Sequence, residues 1–148
     1  FLDNFRQGLE IATNPRQMRL DFTLTLPGMT EVDAMNALAQ ELGVEMLAKV
    51  IFSFTPDIIL SPLALPRHLL DPWVDELAGR SAGAMRDVLL QLKSRPTFEE
   101  QWPAEYQAGL SKGKARILKL EQIRTQPVTM SDILGARPDV LEWWMKIA

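Results

Sequence analysis

Residues 19–26 alternate without a slip: Leu20, Phe22, Leu24 and Leu26 fall on one side, and Arg19, Asp21, Thr23 and Thr25 on the other. That period of two marks a strand with one apolar and one polar face. Pro27-Gly28 ends the run, Thr30 is placed to cap a helix with an apolar face of Val32, Met35, Leu38, Ala39 and Leu42, and Gly43 is placed to stop it. Residues 46–54 read as a second strand, with Leu47, Lys49, Ile51 and Ser53 on one face and Met46, Ala48, Val50, Phe52 and Phe54 on the other. Two strands joined through one helix by tight loops form a βαβ unit with parallel strands and a right-handed crossover. The expected fold class is therefore α/β, a partial parallel β/α barrel followed by a mostly helical C-terminal region.

The rest of the chain reads as helix. Leu2, Phe5, Leu9 and Ala12 draw one apolar stripe, which Asn14-Pro15 stops. After the second strand, Thr55-Pro56-Asp57 breaks the chain and Pro62, Pro66 and Pro72 punctuate it, so regular β structure is expected to stop there. Asp71-Pro72 has the form of a helix start, Ser81 is placed to cap a helix reaching about Leu92, and Thr97 with Glu100 spells a capping box. Residues 103–124 hold the longest helix candidate, and Pro138 opens a last helix carrying Leu141, Trp144 and Ile147. The organisation expected is residues 1–60 as late β/α units and residues 61–148 as a helical cap. Two strands are too few for a closed barrel, and Phe1 opens a stripe already at helical spacing, so the chain reads as a fragment of a larger polypeptide.

Composition narrows the chemistry. With no cysteine, the chain has no disulfide, thiolate nucleophile or Cys-held cluster of its own, and a single histidine, His68, excludes a multi-His zinc site. A net charge of -3 gives no overall reason to expect nucleic acid, and no apolar run reaches the length of a membrane helix. Neither partner is expected, and the cytoplasm is the default location.

Ligands of parallel β/α folds are met at the C-terminal ends of the strands. Asp21, Thr23 and Lys49 are then the candidates for an inward polar face, with an Asp21–Lys49 pair across neighbouring strands, and Thr25, Ser53 and Thr55 lie nearest the functional rim. The competing reading is structural in each case: a satisfied polar layer for the first group and strand-end turn formation for the hydroxyls. Lys112, Lys114, Arg116, Lys119 and Arg124 form a basic run whose helical spacing scatters the charges, as on a solvated face, with Leu110, Ile117 and Leu120 taking the buried side. Trp143-Trp144 reads as a docking anchor and His68 as a surface or capping residue. No catalytic residue and no metal ligand stands out.

The run RLDFTLTLPGMTEVDAMNALAQELGVEM, followed by AKVIFSF, resembles the late β/α repeats of radical S-adenosylmethionine (radical SAM) enzymes. PLALPRHLLDPW and LEQIRTQPVTMSDILGARPDVLEWW resemble the proline-rich link and C-terminal helices of the subgroup with a truncated auxiliary twitch domain. The resemblance implies a parent that cleaves S-adenosylmethionine reductively at a [4Fe-4S] cluster held by an upstream C-x3-C-x2-C loop, which this chain lacks. It implies that Thr25, Ser53 and Thr55 flank the bound S-adenosylmethionine, and that this segment, inactive alone, works with the rest of its polypeptide on a peptide or small-molecule substrate. The alternative is a non-catalytic protein-interaction module using the helical half and Trp143-Trp144.

Overall fold

A computed structural model describes residues 2–14, 17–51, 53–125 and 128–148. The expectations for Phe1, Pro15 and Phe52 lie outside these residues. After helix α1 (Leu2–Ile11), strand β1 (Arg19–Leu24) is joined through helix α2 (Val32–Leu42) to strand β2 (Glu45–Val50). The strands are parallel, in register from Arg19 opposite Glu45 to Leu24 opposite Val50. Gly43 ends α2 as expected: it sits at φ 63°, left-handed space that costs glycine little, and its N–H reaches the carbonyls of Ala39 and Gln40. A 3₁₀ turn over Pro27–Glu31 runs into α2, so Thr30 is not the cap, and its hydroxyl donates to the Pro27 carbonyl at 2.7 Å.

Both strands are shorter than their alternation. Ile51 N–H still donates to Leu24 O at 3.3 Å, but Leu26 N–H turns to Leu60 O at 2.6 Å. The segment after β2 thus takes over the end of β1 and closes the ladder.

The partial barrel is not found. The sheet has two strands, and every later element among the described residues is helical. Leu20, Leu24, Ala48 and Val50 are buried on one face, where β2 packs on a helix of the second half. The opposite face, expected to line a lumen, is open to water, with the Asp21 and Lys49 side chains 50% and 53% exposed. A β/α barrel requires further strands at both edges, and here the chain continues into helices. The architecture is a mostly helical body carrying an open parallel pair on one flank.

That body comprises α3 (Arg67–Arg80), α4 (Gly83–Lys93), α5 (Phe98–Gln101), α6 (Tyr106–Ile123), α7 (Met130–Leu134) and α8 (Pro138–Lys146). Helix α3 starts before Asp71-Pro72, leaving Pro72 inside it. An interior proline normally breaks a helix by removing an i→i−4 bond. The first turn is held here from outside: the Arg67 guanidinium donates to Glu100 at 3.0 Å and to the carbonyls of Lys93 and Arg95 at 2.9 and 2.6 Å. Glu100 also completes the expected capping box with Thr97. Ser81 does not cap α4, whose N-cap is Ala82; its hydroxyl instead accepts from Asn36 at 3.0 Å and ties the α3–α4 junction to α2.

One core runs from Leu24 and Val50 on the strands through Trp73, Leu89 and Phe98 to Trp144 and Ile147. Its polar fittings are few and placed. The Tyr106 hydroxyl donates to the Ala64 carbonyl at 2.8 Å, and burial raises its pKa to about 12. Lys114 donates to the carbonyls of Trp144 and Ile147 at 3.1 and 2.6 Å, neutralising the end of α8, and lies 5.5 Å from the Trp144 ring centroid.

Helix α6 reaches the post-strand segment through two glycines. A Cβ on Gly113 would stand 2.7 Å from Asp57 O and 2.9 Å from Ile59 Cβ, and one on Gly109 would stand 2.8 Å from Pro56 side-chain atoms. Gly113→Ala is expected to cost about 1–3 kcal/mol through overpacking, despite the better helix propensity of alanine. Gly79→Ala on α3, where nothing lies within 4 Å, should gain about 0.5–1 kcal/mol. Urea midpoints of both variants check the pair; a neutral Gly113→Ala would refute the close approach.

Candidate functional site

The C-terminal ends of the strands lead into two turns. Thr25 Oγ1 accepts the Gly28 N–H at 3.0 Å and so shapes the turn after β1. After β2, the Ser53 hydroxyl donates to the Thr55 carbonyl and accepts the Thr55 N–H at 3.1 Å, while the Thr55 hydroxyl donates to Asp57 Oδ1. These hydroxyls form the strand-end turns that small polar residues favour. Ser53 and Thr55 are brought together, whereas Thr25 is engaged in its own turn.

Beyond Thr55 lies a group missed by sequence reasoning. The Asp57 carboxylate, 11% exposed, is 3.1 Å from Lys112 Nζ and 2.7 Å from an Arg116 nitrogen. The Thr55 hydrogen bond, then Lys112, and the Arg116 charge hold its pKa at about 2, against a smaller opposing effect of burial. Asp57 is therefore a fixed anion and not a proton donor near neutrality. The two cations are more than half exposed and have spare N–H donors. Beside them, Thr55, Asp57, Glu105 and Lys112 line an open cleft of about 360 Å³. The available signal was the i, i+4 spacing of Lys112 and Arg116, which puts both on one helix face; their carboxylate lies far away in sequence.

The second group is on the open sheet face. Lys49 Nζ lies 2.9 Å from both Asp21 oxygens, which realises the expected pair, and Thr23 stands opposite Lys49 in the register. Asp21, Thr23 and Lys49 are thus gathered on one surface. An exposed pair of this kind contributes at most about 1 kcal/mol, so its placement matters more than its strength.

The basic run is not simply a solvated face. Lys112 and Arg116 hold Asp57, and Lys114 reaches the α8 carbonyls. Leu120 is 50% exposed and does not take the buried side; Gly109 and Gly113 do so with Tyr106 and Leu110. Trp144 is buried, Trp143 packs half-buried against the core, and His68 is exposed on the first turn of α3. Among the described residues no group of three or more His, Asp or Glu side chains is placed to hold a metal ion, and no helix is long and apolar enough to cross a membrane. No protein-family model matches this chain, and no curated protein or solved structure compared with it is similar to it.

The depressed pKa of Asp57 makes an acid-stability prediction. A carboxylate at about 2 when folded and near its usual value when unfolded contributes stability above about pH 4 that is lost as pH falls toward 2. Glu100, held at about 2 chiefly by Arg67, acts in the same window. Asp57→Asn should lower stability at pH 7 by about 1 kcal/mol and flatten part of the acid slope. Urea unfolding between pH 7 and pH 2.5 measures both; an unchanged slope would show that the Asp57 cluster does not persist in solution.

Proposed function

We propose that this chain is the C-terminal part of a radical SAM enzyme, walling in S-adenosylmethionine and substrate while cysteines elsewhere in the polypeptide hold the [4Fe-4S] cluster. The supporting observation is the parallel pair with one face covered and the other carrying Asp21, Thr23 and Lys49 in the open. Parallel strands are ordinarily covered on both faces, so the open face is where the remaining polypeptide packs and encloses substrate. In this reading the Asp21–Lys49 pair, desolvated by that packing, orients polar groups of a peptide or small molecule. Ser53 and Thr55 stand at the strand ends beside S-adenosylmethionine. The bound cluster supplies the electron that cleaves the cofactor. This chain's residues bind, orient and exclude water, in the cytoplasm, and the chain alone is inert.

The test compares this chain with a polypeptide that also includes the coding sequence preceding Phe1, each reconstituted anaerobically with iron and sulfide. With dithionite and S-adenosylmethionine, 5′-deoxyadenosine should form only in the longer polypeptide. Lys49→Ala there should lower substrate turnover about tenfold, the loss of one charge-assisted contact, while uncoupled cofactor cleavage persists. A start codon directly before Phe1, or a longer polypeptide with no three-cysteine loop, would dismiss the radical enzyme and leave an interaction module.

A further inference from the structure

The end of α6 departs from an ordinary surface. Leu120, Ile123 and Val128 are 50%, 74% and 50% exposed within a short stretch of chain. Single exposed apolar side chains are common, but a contiguous group marks an interaction surface. Here the group borders a groove of about 260 Å³ lined by Leu60, Ile117, Leu120, Val128, Met130 and Arg124. Ile117, Leu120 and Glu121 follow one another at i, i+3 and i+4 on one face of α6, and Arg124, the residue that ends the helix in extended conformation, lines the same groove.

The charges around the groove divide unequally. Glu121 also lines it, but its carboxylate is occupied by the Met130 N–H at 2.5 Å, a contact that fixes the start of α7. Lys112, Lys114 and Arg116, further back on α6, are all engaged within the fold. The Arg124 side chain, exposed at the groove, makes no ion pair or hydrogen bond among the described residues, and neither does that of Lys119 elsewhere on α6. The surface is thus apolar in the middle with uncommitted positive charge at its margin.

We propose that this groove docks an acidic amphipathic peptide segment of a partner protein, with its apolar side chains against Leu120 and Val128 and a carboxylate on Arg124. An apolar face laid into a groove, read through side chains one helical turn apart, is an established mode of peptide recognition. A bilayer fits less well, because the apolar surface is a concave groove and not a flat or convex face. Ile123, next in the chain to the groove-lining Arg124, adds a further exposed apolar side chain at this end of α6.

The test is fluorescence anisotropy of labelled helical peptides of about 16 residues, titrated with the intact 148-residue chain. One peptide carries leucines at i, i+3, i+4 and i+7 flanked by glutamates; its twin carries lysine for every glutamate. The glutamate peptide should bind saturably and the lysine twin about tenfold more weakly. Arg124→Glu should reverse that preference. Ile123→Asp should weaken the glutamate peptide about tenfold with an unchanged thermal midpoint, since the side chain it replaces is largely in solvent. Equal binding of both peptides, binding of neither, or an Arg124→Glu variant with unaltered preference would overturn the proposal. Capture of the chain by phosphatidylglycerol vesicles with no peptide binding would assign the surface to a membrane instead.

Discussion

The close approach of α6 to the segment after β2 governs what surrounds it. At Gly109 and Gly113 the helix backbone comes against Pro56, Asp57 and Ile59 at distances that leave no room for a side-chain carbon. The approach pins residues 56–59, and Leu60 immediately beyond offers its carbonyl to Leu26. This is the bond that diverts β1 from the ladder. The length of the sheet is therefore set by a helix from the other half of the chain, at positions chosen for lack of volume. The same approach brings Lys112 and Arg116, on the turns next to the glycines, within reach of Asp57. Packing and electrostatics here share one geometric cause.

A second fixed point, Arg67, supports the helical half in a different way. Its guanidinium gathers Asp71, Glu100 and the carbonyls at the end of α4, satisfying several otherwise open acceptors with one planar fork. That anchoring explains how α3 runs through Pro72. A helix whose first turn is bonded laterally to two neighbours can lose one internal bond without ending. Glu100 serves both the capping box and Arg67, so the start of α5 and the start of α3 are fixed together.

What the sequence made legible follows from the range of the interactions concerned. The alternation within each strand, Gly43 as a terminator, the Thr97–Glu100 box and Pro138 at the head of α8 are all features of a few consecutive residues, and such periods and caps can be read from local spacing. The Asp21–Lys49 pair was also legible, because register between two strands joined by one helix leaves few alternatives. The extension of the strands to Leu26 and Phe54 was not: alternation records which side chains can share a face and is silent on where a ladder loses its partner. The barrel was misread for a related reason, since a βαβ unit is local and the number of strands beside it is not. Asp57 with Lys112 and Arg116 escaped notice because Thr-Pro-Asp reads as a chain break and a basic run reads as surface, and only the glycine contact joins them.

The candidate groups differ in what they can still do. The Ser53 and Thr55 hydroxyls are turned onto neighbouring backbone and Asp57, so binding through them requires a ligand that replaces or extends those bonds. Asp57 is locked as an anion by two cations and cannot shuttle protons in the neutral range. Lys49 and Asp21 keep half their surface in water, and covering them would strengthen their attraction while removing their hydration. A surface of this kind gains function from what is laid over it, since a charge pair that is weak in water becomes an orienting field once enclosed.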